Sequence, residues 1–272
     1  MSEIHDKYKS DKRSSRQLAE EYRAAIEPHQ PIKMIATIHY RGGQEEFDLG
    51  VEYTKSPDPW DRVLGADILG QLGWGKQTFL EESVDILIGL LGDDHTDVIS
   101  AAAVALGHRN DARAIPHLVK LVHHEDVRYG VVFGLLYYEE PEAVQAMIHL
   151  CQDKDEDVRN WALFGIGSQI ELDTPDIRLA LFKGLNDAHD EARGEALVGL
   201  AVRGDQRVVK ALLKEWERDD IGRLSLEAAE AIANPLLLPN LQRFHETLDL
   251  DDDPHYKQTL EDAIKACDNL CG

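Results

Sequence analysis

The sequence predicts an all-α fold, an α-solenoid of about six to eight stacked helix pairs. Three observations carry that expectation. A phrase of the form acidic turn, apolar residue, arginine returns along the chain, as in "DKDEDVRNWALFGIG" from residue 153, "HHEDVRYGVVFGLL" from His123 and "DAHDEARGEALVGL" from Asp187. Aligned on the residue before the arginine, Asp61, Val98, Val127, Val158, Ala192 and Leu224 fall in register, at intervals of 37, 29, 31, 34 and 32 residues. Four and eight positions on, small residues and then Leu or Ile recur: Gly65, Ala102, Val131, Ala162, Ala196 and Ala228, then Leu69, Leu106, Leu135, Ile166, Leu200 and Ile232. Offsets of 0, +4 and +8 share one stripe of a helix, with the small residues where neighbouring helices approach closely. No strand-like alternation runs for any useful length.

In chain order, residues 1–13 read as a polar tail and 14–43 as an N-terminal capping segment. Residues 44–250 hold the repeats and 251–272 a C-terminal cap, so 14–272 reads as one solenoid domain. Between anchors lie second apolar-periodic segments, "ARAIPHLVKLVHH", "PEAVQAMIHLCQ" and "DQRVVKALLKEW". Each repeat is therefore a first helix, an acidic capping turn and a second helix. Pro116, Pro141 and Pro175 stand near the starts of first helices, where the missing N–H costs little. One such pair cannot cover its apolar stripe; stacking buries it.

Charge narrows the partners. The net charge is −22, and it is uneven: residues 1–43 carry +2 and the remainder −24. Such a field opposes nucleic-acid phosphate and favours a basic protein partner. No apolar run approaches the roughly 18 residues of a membrane span, and "MSEIHDKYKSDKRSSR" lacks an apolar leader core. Cys151, Cys267 and Cys271 form no disulfide framework, which fits a reducing cytoplasm. The expectation is a cytoplasmic, monomeric protein without membrane or nucleic-acid contact.

The residues supply no assembled catalytic or metal constellation, so no catalytic residue, metal or cofactor is assigned. His95, His124 and His189 lie three residues before their anchors, in register with Asp58 and Asp155. Stacked helices are about 8–10 Å apart and zinc ligands lie about 2 Å from the metal, so this register reads as helix capping. "GQLGWG" at 70–75 opens no βα unit, and Cys267 with Cys271 lacks a second ligand pair. The pairs His124–Glu125 and His245–Glu246 differ in register.

The phrases at 124–135 and 155–166 resemble HEAT repeats, in particular the short bacterial type named from phycobilisome-lyase proteins. That resemblance implies an arginine–acid ladder along the stack, assigned to Arg62, Arg128, Asp157, Arg159 and Arg193; Ile99 and Ser225 depart from it. The segments "RGGQEEFDLGVEY" and "DVRNWALFGIG" are similar to bacterial HEAT-repeat proteins linked with large polymorphic Rhs toxins, which implies a toxin-neutralising role. The alternative it implies is a bilin-lyase-like, cofactor-handling protein. The di-iron hydroxylases built of HEAT repeats also use His–Glu pairs, but several and symmetrically placed.

Second helices of a solenoid line its concave face. There the outward positions, +3 and +6 from the anchor, are aromatic in mid-chain and acidic later. Tyr129, Asn160, Trp161, Phe164, Glu195, Glu227 and Glu230 are the expected partner contacts, with the "YYEE" at 137–140 as a second patch. Filling of the core between repeats is the competing role for Trp161, Phe133 and Phe164. The function these features point to is non-catalytic protein binding.

Overall fold

The computed structural model describes residues 8, 10–26, 34–218, 221–248 and 253–268. These residues form α-helices joined by short turns, with no strand among them. The chain divides into two compact units, Met1–Ala143 and Val144–Gly272, and within each the helices pair and stack as an α-solenoid does.

The first unit holds α1 (Ser15–Ile26), α2 (Met34–Arg41), α3 (Gln44–Tyr53), α4 (Pro59–Gly70), α5 (Leu80–Leu90), α6 (Thr96–Arg109), α7 (Ile115–Leu118) and α8 (Arg128–Leu135). The second helices α4, α6 and α8 stack in series. Helix α9 (Pro141–Leu150) spans the division. The second unit continues with α10 (Glu156–Phe164), α11 (Pro175–Gly184), α12 (Asp190–Val202), α13 (Arg207–Glu215), α14 (Arg223–Ile232), α15 (Leu238–Thr247) and α16 (Pro254–Asp268), where α10, α12, α14 and α16 stack in series.

The stripe read from the sequence is the core. All six residues at +4 are buried, as are Leu69, Leu106, Leu135, Ile166, Leu200 and Ile232 at +8. Each fully buried Leu or Ile contributes roughly 1.5–3 kcal/mol of transfer free energy. Leu18, Ala19 and Tyr22 of α1 pack with Ile38, Leu64 and Ile68, covering the apolar face that the first repeat leaves open.

Capping explains where the second helices begin. Asp58 accepts from the Trp60 amide, Asp155 from the Asp157 and Val158 amides, and His189 Nδ1 from the Ala192 amide at 3.4 Å. Each supplies an acceptor for a first-turn N–H left without an intrahelical partner. His95 precedes α6 but its side chain makes no capping hydrogen bond, and His124 caps no helix, since α8 starts only at Arg128, one residue after its anchor. The preceding first helix is also broken: 112–121 forms short 3-10 segments around the four-residue α7 instead of one continuous helix. Pro116 removes a backbone donor there.

The arginines of the repeat pair with the turn of the next repeat. Arg62 grips Asp93 through Nε and NH2 at 2.8 and 2.7 Å, and Arg159 grips Asp187 at 2.7 and 2.8 Å. The Arg159 guanidinium holds the Asp187 carboxyl below its ordinary range, against the opposing effect of burial. Both aspartates also accept the amide two residues on, His95 or His189, so each bidentate pair fixes a turn. Arg193 turns instead to Glu215, at 2.9–3.2 Å, and Asp219, at the equivalent turn position, lies outside the described residues. Asp157 takes no part in these pairs; it is exposed on the first turn of α10, while Asp187 receives Arg159. Arg128 opens α8. At Ser225, where this repeat departs from arginine, the hydroxyl accepts the Trp216 indole N–H at 2.9 Å.

A second regularity lies eleven positions after the anchor. Arg109 donates to the carbonyls of Leu72 and Thr78, and the Tyr138 hydroxyl donates to the Asp111 carbonyl at 3.0 Å. Arg203 donates to the carbonyls of Ile166, Gly167, Ile170, Leu172 and Gly199. Side chains at this position reach back to the preceding repeat and satisfy its open carbonyls. Tyr138 therefore belongs to the core, and within "YYEE" Tyr137 is the exposed aromatic.

Candidate functional site

The site lies within the second unit. Helix α10 ends in a π turn, Gly165–Gln169, a wider coil that carries Ser168. Glu195 of α12 accepts from the Ser168 hydroxyl at 3.3 Å. Beside it Trp161 and Phe164, one turn apart on α10, meet edge to face with centroids 5.5 Å apart. Trp161, Phe164 and Glu195 line a cavity of about 680 Å³, which also takes walls from α14 and from Asp253 and Tyr256 at the start of α16. Tyr256 is held there by its hydroxyl, which donates to the Ile221 carbonyl at 2.8 Å.

Electrostatics divides this wall. Arg193 and Arg218 both donate to Glu215, and Arg223 pairs with Glu227 at 3.2 Å. Asp190, Glu191 and Glu195 pair with no cation among the described residues. Burial, then the nearby Glu227 and Glu191 carboxylates, push the Glu195 carboxyl up to about 7, although the Ser168 hydrogen bond opposes them. Asn160 donates through Nδ2 to Glu191 at 3.2 Å, while its Oδ1 is buried without a hydrogen-bond partner. The arrangement offers apolar ring surface and unsatisfied acceptors side by side, which suits a cation with an apolar stem.

Of the expected contacts, Asn160, Trp161, Phe164 and Glu195 come together on the cavity wall. Glu227 lies just behind it as the partner of Arg223, and Glu230 is exposed one turn further along α14. Tyr129 belongs to the first unit, exposed and set against the Phe133 ring at 5.1 Å. Trp161, Phe164 and Phe133 are half-buried. Asp253, Tyr256 and Arg218 escaped sequence reasoning because they follow no repeat register. Of the acidic stretch 248–255, residues 249–252 lie outside the described residues.

The other candidates resolve individually. His245 Nε2 lies 3.7 Å from Glu261, and no group of three or more His, Cys, Asp or Glu among the described residues is placed to hold a metal. Cys267 is buried, its thiol 3.7 Å from the Ala229 carbonyl, and Cys271 lies outside the described residues. Among the described residues no helix is long and apolar enough to cross a membrane.

Asp67 of α4 is held by the N-terminal cap. It accepts the Tyr22 hydroxyl at 2.6 Å beside a cavity of about 130 Å³ lined also by His39 and His108. Burial pushes its carboxyl up to about 6, with the Tyr22 hydrogen bond opposing. The folded protein therefore binds this proton more tightly than the unfolded chain, and the group's contribution to stability falls as pH rises from about 4 to about 6. Asp67→Asn keeps the acceptor for Tyr22 and removes the buried charge. Urea unfolding should show a gain of about 2 kcal/mol near pH 8 that shrinks toward pH 4. A gain of equal size at both values would locate the effect outside this titration.

Within each unit, helix pairs that stack over a buried stripe, with Arg–Asp pairs between neighbouring repeats, define a helical-repeat protein. Residues 49–129 and 144–233 match the family model of HEAT repeats, and the chain belongs to that family. It is similar to protein YibA of Escherichia coli strain K12, with 28% identity over 229 residues, 79% of this chain and 81% of that one. The YibA protein of Escherichia coli O157:H7 matches with the same identity and extent. The X-ray structure of the Escherichia coli YibA protein superposes with a TM-score of 0.66 at 26% identity, over 94% of this chain and 99% of that one.

Proposed function

We propose that this chain is a non-catalytic interaction protein that seats a basic protein partner in the cavity formed by α10, α12, α14 and the start of α16. One observation carries the reading: the edge-to-face pair Trp161–Phe164 stands beside carboxylates that no arginine neutralises. Desolvated aromatic anchors beside complementary charge are what binding hot spots are made of. The chain's charge of −22 supplies long-range attraction to the same class of partner. In its sharper form, resting on the likeness to Rhs-linked HEAT proteins, the partner is the basic toxin domain of such a system and binding neutralises it.

The test is titration of this protein with a purified basic protein encoded beside its gene. Affinity should fall steeply as salt rises. Trp161→Ala should weaken binding about 30-fold while shifting the melting temperature by less than about 3 °C. A large loss of stability with unchanged affinity would make Trp161 a core residue and defeat the reading.

The cavity's volume of about 680 Å³, within the usual range of ligand pockets, favours a second reading, a bilin-handling protein of the lyase type. Against it, Asp190, Glu191 and Glu195 line the cavity, and a carboxylate wall opposes the propionates a bilin carries. Incubation with a bilin should leave its visible absorbance unchanged; a shifted band would reverse the ranking.

A further inference from the structure

We propose that Glu195 is the seat for an arginine side chain of the partner, whose guanidinium enters the cavity beside Trp161 and Phe164 and is shared by Glu191 and Asn160. This rests on the reading of the cavity as a partner groove and names the group that enters it.

The acceptors on this wall are incomplete without a donor. Among the described residues Glu195 has only the 3.3 Å contact from Ser168, and Asn160 Oδ1 is buried with no partner while its amide nitrogen holds Glu191. A guanidinium carries five N–H donors in a plane, enough to meet a carboxylate and an amide oxygen together. Its flat face stacks on an indole, which an ammonium matches less well. The arginines already on the wall do not occupy this place: Arg193 and Arg218 are held by Glu215, and Arg223 by Glu227.

The groups facing Glu195 set the pH dependence. Asp190 and Glu191 stand on its own helix, Glu227 with Arg223 on α14, Ser168 on the π turn, and Asp253 with Tyr256 on α16; Arg193, Arg218 and Glu215 complete the lining. With the free carboxyl pushed up to about 7 by burial and the neighbouring carboxylates, much of it is protonated near neutrality. An entering cation favours the ionised form, so association releases the Glu195 proton to solvent. Affinity then rises by about tenfold from pH 6 to pH 8.

The probe is a capped hexa-arginine peptide, with hexa-lysine beside it, titrated into the full-length protein at low salt and followed by tryptophan fluorescence and calorimetry. The wild type should bind hexa-arginine at least about fivefold more tightly than hexa-lysine. Glu195→Gln, isosteric with the native side chain, should weaken hexa-arginine binding about tenfold and flatten the pH profile. Glu217→Gln, an exposed charge removed from the same unit, should change affinity by less than about twofold. If the wild type binds and Glu195→Gln matches it in affinity and pH profile, the assignment to Glu195 is overturned and the groove reading stands. If Trp161→Ala binds as tightly as the wild type, or the wild type binds neither peptide, the groove reading falls and takes this inference with it.

Discussion

Replacing Arg203 by alanine is expected to cost the second unit about 3–5 kcal/mol, the loss that follows when buried polar groups are stripped of a charged partner. Its guanidinium donates to the carbonyls of Ile166 and Gly167 in the π turn, of Ile170 and Leu172 beyond it, and of Gly199 on its own helix, at 2.7–3.3 Å. The π turn opens the end of α10 and leaves those carbonyls pointing off the helix axis without backbone donors. No neighbouring side chain can move in, because Gly199 and Gly167 already meet backbone to backbone: a Cβ on Gly199 would come within 2.7 Å of the Gly167 Cα. Urea unfolding monitored by circular dichroism should show the full loss for Arg203→Ala. Arg203→Lys should recover less than half, since an ammonium cannot span carbonyls arranged around a planar fork. A lysine variant as stable as the wild type would show that charge alone, not the fork, holds the turn. The same substitution should loosen the cavity, because Phe164 and Ser168 flank or belong to this turn.

Gly107→Val is expected to cost the first unit about 3 kcal/mol. Helices α6 and α8 cross there so closely that a Cβ on Gly107 would lie 2.6 Å from the Phe133 carbonyl oxygen and 3.0 Å from the Gly134 Cα. Both obstacles are backbone, so relief requires parting the helices and opening the core around Leu106 and Leu135, which are fully buried. Gly89 makes the opposite case: it lies within α5, exposed, and a Cβ there would meet nothing within 4 Å. Gly89→Ala should therefore stabilise the protein by about 0.5–1 kcal/mol through helix propensity and unfolded-chain entropy. Thermal melts of the two variants should move in opposite directions; a shift of the same sign in both would refute the steric account.

The sequence by itself determined the helix pair, the order of repeats and the buried stripe. Residues at 0, +4 and +8 must lie on one face of any helix that contains them, and a face so apolar must be covered. That is why Ala102, Ala162 and Ala196 were legible as core before any coordinate. Capping was legible for the same local reason at Asp58, Asp155 and His189, which act on amides two or three residues away, but not at His95 and His124.

Tertiary structure alone decided which outward residues share a site. Trp161 and Glu195 occupy the same repeat position, yet whether they meet depends on the stagger between α10 and α12 and on the extra width of the π turn, which no periodicity encodes. It also brought Asp253 and, on α16, Tyr256 to the same cavity as residues nearly a hundred positions earlier, and turned Arg109, Tyr138 and Arg203 back onto carbonyls of the preceding repeat. A side chain's own sequence fixes its helix face. What it can reach across repeats is set by the packing of helices it does not belong to.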